Sequence, residues 1–209
     1  GTSTEGTDYT DGSGNIDDIT ISAGSTTGTV DFTPTDDSVY EGNETAIIAI
    51  SSVSGADASE SGSQSVTITI TENESAPTIT LARSAASIDE NSGSTITLTA
   101  TISGVTDSAV TVALDTSGTA TEGTDYGTIS DITISAGATT GTATLDPTDD
   151  NIYEGDETAT IDIGSVSGKS GVTENGTQQV SVTIAENESA PTVTLATSAT
   201  SIAENAGTS

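Results

Sequence analysis

Cysteine is absent from these 209 residues, so neither disulfides nor thiolate metal sites can hold the fold. Histidine is absent too, which removes the usual general base, the usual zinc ligand and any Ser-His-Asp triad. Lysine and arginine together number two against 32 acids, a formal net charge of −30. Nucleic acid and anionic membrane both demand positive charge, so neither is an expected partner. Cations, cationic surfaces and neutral ligands stay open. With no tryptophan, one phenylalanine and four tyrosines, the chain lacks the aromatic platforms of a glycosidase cleft. Its paired carboxylates therefore do not read as acid/base machinery, and no enzyme is expected. No apolar run approaches the ~20 residues of a transmembrane helix, so no membrane insertion is expected in this segment.

Few aromatics and a strong acidic balance are also marks of disorder. Alternation argues the other way. Thr95-Ile96-Thr97-Leu98-Thr99-Ala100-Thr101-Ile102 and Val180-Ser181-Val182-Thr183-Ile184 switch apolar and polar at period two, as half-buried strands do. Thr and Val are strand formers, and no window keeps a helical period, so the chain reads as all-β.

Acidic residues are concentrated rather than spread. Asp149-Asp150-Asn151-Ile152-Tyr153-Glu154-Gly155-Asp156-Glu157 has a near copy in Asp36-Asp37-Ser38-Val39-Tyr40-Glu41-Gly42-Asn43-Glu44. Such a cluster cannot enter a core, and its carboxylates repel one another if left bare. A solvated acidic loop is the common fate of charge runs. Repetition of this one in register favours a hard divalent cation held by oxygen, with Ca²⁺ the usual choice outside cells.

Self-comparison extends the repeat. Gly1-Thr2-Ser3-Thr4-Glu5-Gly6-Thr7-Asp8-Tyr9 returns as Gly118-Thr119-Ala120-Thr121-Glu122-Gly123-Thr124-Asp125-Tyr126. Glu72-Asn73-Glu74-Ser75-Ala76-Pro77 returns as Glu186-Asn187-Glu188-Ser189-Ala190-Pro191, and Ser87-Ile88-Asp89-Glu90-Asn91 is echoed by Ser201-Ile202-Ala203-Glu204-Asn205. Tandem units follow: residues 1–75 as a repeat lacking its first strands, 76–189 as a complete repeat, and 190–209 as the opening strand of a third. Proline stiffens the short linkers between them. The complete repeat reads as about seven strands, near 78–82, 94–103, 109–115, 128–134, 141–146, 158–166 and 178–185. Expected core positions are Ile79, Leu81, Ile96, Leu98, Val110, Val112, Leu114, Ile132, Ile134, Leu145, Ile161, Ile163, Val182 and Ile184. Tyr126 and Tyr153 are expected to plug the two ends, rings inward.

The order Ser-Ile-x-Glu-Asn, Gly-Thr-Ala-Thr-x-Gly-x-Asp-Tyr, Asp-Asp-x-x-Tyr-Glu-Gly-Asp-Glu and a closing acidic triplet resembles the Calx-beta domain. That resemblance implies tandem seven-stranded immunoglobulin-like β-sandwiches that bind Ca²⁺. By the same resemblance, the ligands map onto Glu90, Asp125, Asp149, Asp150, Glu154, Glu157, Glu186 and Glu188. In the first copy they map onto Asp8, Asp36, Asp37, Glu41, Glu44, Glu72 and Glu74. The closing triplet Glu-Asn-Glu departs from the family's Asp-rich form, and Asn43 stands where the second copy has Asp156.

Other signals carry less. Asp11-Gly12-Ser13-Gly14-Asn15-Ile16-Asp17-Asp18 has alternate oxygen side chains but lacks the glycine and distant glutamate of a calcium loop, so a polar turn is expected. Asn43, Asn73, Asn175 and Asn187 match the glycosylation pattern, as chance allows in a Ser/Thr-rich chain. Lys169 and Arg83 read as isolated surface charges. The functional expectation is a calcium-stabilised structural or extender module of a long secreted or cell-surface protein, an adhesin or extracellular filament. Its partners would be neighbouring repeats of the same chain and other copies in a fibre. Two other readings stay open: a Ca²⁺-sensing regulatory pair, and a carbohydrate- or receptor-binding module whose loop Gly164–Gly176 makes contact. Strand addition by Thr192–Ala196 is a lesser option.

Overall fold

The computed structural model describes residues 1–55, 57–201 and 203–204. The echo at 201–205 therefore lies partly outside the described residues. Four short strands form the first unit: β1 (Tyr9–Thr10), β2 (Thr33–Pro34), β3 (Glu44–Ala49) and β4 (Ser65–Ile70). They make two separate antiparallel pairs, β1 with β2 and β3 with β4. The second unit holds β5 (Thr78–Arg83), β6 (Ser87–Asp89), β7 (Ile96–Ile102), β8 (Val110–Gly118), β9 (Ile132–Ile134), β10 (Thr140–Leu145), β11 (Glu157–Ser167), β12 (Thr173–Glu174) and β13 (Gln179–Ala185). Among the described residues the one helical element is a 3₁₀ turn, Glu90–Ser92.

Sheets β10-β7-β5-β12 and β6-β13-β11-β8-β9 face each other as a sandwich. Alternation puts one face of each strand inside. In β7, for example, Ile96, Leu98, Ala100 and Ile102 are buried while the threonines between them are more exposed. Every expected core residue is buried except Leu114, which packs half-buried at the edge of the cluster. Seven strands answer to the period-two runs. Two more, β6 and β12, escaped the pattern because they are only three and two residues long. Both add in parallel, β6 to β13 and β12 to β5. Thr128–Ser130 falls outside any strand, although Ile129 is buried.

The first unit shows what the missing layer does. Ile132 and Ile134 are fully buried in the second unit, but their counterparts Ile19 and Ile21 are more than half exposed. Among the described residues, no strand equivalent to β5 or β7 lies over Ile19 and Ile21. Tyr9 and Ala46 are the buried hydrophobics there among the described residues, and Tyr9 stacks on Phe32 with centroids 4.7 Å apart.

The two tyrosines singled out above part company. Tyr126 is 1% exposed and fills the core, whereas Tyr153 is 45% exposed and plugs nothing. The difference is one of location: Tyr126 sits where the β8–β9 connection dives under the sandwich edge, and Tyr153 rides on the outer acidic loop.

Gly118 ends β8 at φ 120°, and a Cβ there would lie 2.1 Å from the Thr158 carbonyl oxygen. That oxygen instead accepts the amides of Thr119 and Ala120 at 2.9 and 3.1 Å, steering the chain out of the sheet toward Asp125. Thr119 Oγ1 in turn accepts the Thr158 amide at 2.8 Å. Gly1 meets Thr45 in the same way in the first unit. Gly118→Ala is expected to destabilise the fold by more than about 1 kcal/mol, read from the urea midpoint, because both the backbone conformation and the space exclude a side chain.

Candidate metal centre

The turn Thr121–Tyr126 presents Asp125. Its Oδ2 accepts the Thr121 amide at 2.6 Å, and its own amide donates to the Thr121 carbonyl at 2.9 Å. Gly123, at φ 84°, makes the turn, and the Asp125 carbonyl accepts the Thr148 amide at 2.9 Å, tying the turn to the acidic loop. Asp8 repeats this arrangement, its Oδ2 on the Thr4 amide at 2.5 Å. Glu122, one turn position away, is taken out of play by Thr116 Oγ1 at 2.6 Å and the Ile129 amide at 3.0 Å.

Among the described residues three groups of acids converge from distant segments, each offering oxygens within 4.8 Å of one another. In the second unit these are Glu90 with Asp149 and Glu188, and Asp125 with Glu154 and Glu157. In the first unit Asp8, Glu41 and Glu44 repeat the second of those groups residue for residue. The counterpart of Glu90 is not among residues 1–75.

The remaining expected ligands lie outside these three groups and make hydrogen bonds around them. Glu186 accepts the amides of Glu154 at 2.5 Å and Gly155 at 2.7 Å with one oxygen, and those of Glu188 at 2.9 Å and Asn187 at 3.1 Å with the other. Glu72 makes the same set with Glu41, Gly42, Asn73 and Glu74. These carboxylates organise the acidic loop, and Glu186 lies close enough to both groups to act on Glu90, Glu154 and Glu157. Asp150 and Asp37 turn back onto the amides of Ile152 and Val39, at 2.6 and 2.7 Å. Asp36 accepts Asn73 Nδ2 at 2.8 Å, and Glu74 lies beside Glu72. Asn43 replaces Asp156 without loss: each accepts the first amide of the closing triplet, Glu72 at 2.9 Å and Glu186 at 3.1 Å. Both need only an acceptor oxygen, and an amide supplies one. The Asp11 segment closes on itself as a turn, with Asp11 Oδ1 accepting the amides of Ser13 and Gly14.

Electrostatics separates the two kinds of acid. Hydrogen bonds from the Glu188, Glu154 and Gly155 amides hold Glu186 down at about 2. Burial works against Glu72, but hydrogen bonds from Glu74, Gly42 and Glu41 still bring it to about 2. Glu90 goes the opposite way, pushed up to about 7 by burial and then by Glu188, Glu186 and Asp149. Burial and then Asp8, Asp37 and Glu44 push Glu41 up to about 7. Glu44, Glu154 and Glu157 are also raised, burial first in each case. The raised group consists of carboxylates that meet other carboxylates with too few donors between them.

Whether a cation suits these groups can be judged from their unmet needs. Glu90 Oε1 and Glu188 Oε2 are both buried without a hydrogen-bond partner. All donors are hard oxygens, which match Ca²⁺ and not the softer metals. The residues fit the ion.

Sequence reasoning missed Lys169. It is no isolated surface charge: its side chain is 12% exposed and its Nζ lies 2.7 Å from Asp107 Oδ1. The ammonium also donates to the Glu41 carbonyl of the first unit. Its only signal was scarcity, as one of two cationic residues in the chain.

Fold and poles together define an immunoglobulin-like β-sandwich repeat whose loops gather acidic side chains. The chain belongs to the Calx-beta family: the family profile for the Calx-beta domain matches it twice, over residues 1–74 and 72–188. No curated protein matches the chain. Among solved structures, the apo form of the Calx CBD1 domain aligns at 22% identity over 53% of this chain and 98% of its own, with a TM-score of 0.42. CBD12 from CALX1.2 aligns at 21% identity over 50% of this chain and 44% of its own, TM-score 0.42. The calcium binding domain CBD12 of CALX1.1 aligns at 22% over 51% and 45%, TM-score 0.41.

Proposed function

We propose that this chain is a non-catalytic, calcium-stabilised extender: tandem Calx-beta repeats that lengthen a secreted or cell-surface protein. The observation that carries the reading is the pair of unpartnered, buried oxygens on Glu90 and Glu188, beside Asp149, in a chain with two cationic side chains. Glu90, Asp149 and Glu188 would hold one ion; Asp125, Glu154 and Glu157 would hold another, as would Asp8, Glu41 and Glu44. Bound Ca²⁺ supplies positive charge and oxygen coordination where the protein has neither. The chain's part is to bring the carboxylates there through Gly118, the Thr121–Tyr126 turn and the Glu186 amide set, so that ion binding fastens segments distant in sequence. Repeats that contact mainly their neighbours add length without a new fold.

Two measurements test this. Glu90→Gln and Glu188→Gln are each expected to raise the melting midpoint in EDTA, because one repelling charge is gone. The same substitutions shrink the gain on adding calcium. A merely structural acid would lose stability in both conditions. Small-angle scattering at low and millimolar Ca²⁺ addresses the extender role, which predicts a rod whose maximum dimension grows with calcium. A change of inter-repeat angle would favour the sensor reading, and an indifferent chain would end both.

A further inference from the structure

The junction between the two units is built from a turn of the first and two loops of the second. Tyr40 donates its amide to the Val105 carbonyl at 2.9 Å and pairs in parallel with Thr106. Its hydroxyl end rests against Gly171, where a Cβ would fall 2.2 Å from Tyr40 Oη. Lys169 closes the contact, 6.0 Å from the Tyr40 ring centroid, with Asp107 on one side and the Glu41 carbonyl on the other. The knob is thus Val39-Tyr40-Glu41-Gly42. Its socket is the β7–β8 turn at Val105–Asp107 with the loop Gly168–Gly171. Gly171 lies at φ 90° and leaves the space a ring needs. The loop considered above as a sugar or receptor contact is occupied, at this end, by the neighbouring repeat.

The second unit carries the same knob, Ile152-Tyr153-Glu154-Gly155, and it is empty-handed. Ile152 and Tyr153 are 62% and 45% exposed, side by side on the acidic loop. The linker that follows, Glu186 to Pro191, repeats Glu72 to Pro77 letter for letter. Beyond it, Thr192-Val193-Thr194-Leu195 repeats the pattern of β5, whose Ile79 and Leu81 are core residues, yet Val193 and Leu195 are fully exposed.

We infer that the Tyr153 turn is a docking surface for the distal loops of a further Calx-beta repeat, the one whose opening strand begins at Thr192. The occupant is read from the junction already formed: same knob, same linker, same strand pattern. Tyr153 would slot over a glycine, pair its backbone with the β7–β8 turn, and place the Glu154 carbonyl beside a loop cation. The contact uses a backbone carbonyl and an aromatic ring, while the carboxylate of the same glutamate belongs to an acidic group proposed to hold calcium, so the exchange is followed both with EDTA and with calcium.

Amide hydrogen exchange measures it directly, with EDTA and with calcium. In the 209-residue chain the Tyr40 amide is expected to be protected and the Tyr153 amide to exchange freely. Lys169→Gln, or Gly171→Ala, should speed Tyr40 exchange at least ~tenfold while β11 amides keep their rates. Unchanged Tyr40 protection in both variants overturns the socket. Extending the chain after Ser189 with a second copy of residues 76–189 should slow Tyr153 exchange by a similar factor. Lys169→Gln in the added copy should undo it. Free exchange at Tyr153 beside a folded added copy, its own β11 amides protected, would overturn the docking surface.

Discussion

Stripped of calcium, the protein should be most stable in mildly acidic solution and should weaken as the pH rises toward 7; millimolar calcium should reverse that slope. Glu90 and Glu41 sit near 7 in the folded chain because burial and neighbouring carboxylates oppose their charge. Once unfolded they titrate near the ordinary 4.5. Between those values the folded state holds more protons than the unfolded one, so stability falls as pH rises. Glu186 and Glu72 act in the other direction. Held near 2, they contribute stability above the ordinary carboxylate value and lose it as pH falls through their folded values. The metal-free optimum therefore lies near the ordinary carboxylate value, between the two effects.

Calcium requires its carboxylates ionised, so binding competes with the protons on Glu90 and Glu41 and strengthens as they leave. At 100 times the dissociation constant an ion that binds only the folded state adds about 2.7 kcal/mol per site. For a domain of roughly 100 residues that moves the melting midpoint by about 10–20 °C. Calorimetry at about pH 5 and about pH 8, with EDTA or calcium, reads both effects together. Coincident midpoints with and without calcium at the higher pH would remove the ion from the account.

Tyr126→Ala is expected to cost about 3–5 kcal/mol, a large part of a domain's stability. The ring is 1% exposed, among the largest of the fully buried side chains, and lies against an otherwise aliphatic core. Its backbone also holds the site: Tyr126 accepts the Gly123 amide at 2.7 Å, and the next residue donates to the Asp146 carbonyl at 2.9 Å. Removing the ring should therefore loosen Asp125 as well as the core. Urea unfolding gives the stability loss. Titration calorimetry with calcium should show weaker binding in any variant that still folds. Tyr126→Phe keeps the ring and should lose far less. An alanine variant as stable as the parent would mean the ring is not the core piece its burial indicates.

Local pattern made most of the sandwich legible. A period-two run needs no distant partner to declare which side faces in, and Ile96, Leu98, Ile161 and Val182 are buried as that period requires. Short pairings such as β6 on β13 were not legible, because three residues show no period and their hydrogen bonds depend on a strand about 100 residues away. Tyr153 looks like Tyr126 in sequence, as an aromatic next to an acid, but Tyr126 is buried and Tyr153 exposed. Among the acids, repetition located the loops Asp36–Glu44 and Asp149–Glu157, and the family resemblance added Glu90, Asp125 and Glu188. They could not divide carboxylates that accept backbone amides, as Glu186 does, from those left facing one another, as Glu90 and Glu188 are.

The sequence by itself determined the β class, the repeat, the inward face of each long strand and the segments that carry the negative charge. Those are properties of neighbours along the chain, set by alternation and by copying. Tertiary structure alone decided which acids meet, which are spent on amides, and that Lys169 reaches from one repeat to the carbonyl of another. Those outcomes depend on loops separated by as many as 128 residues coming within hydrogen-bond distance, and no local pattern encodes a distance across space.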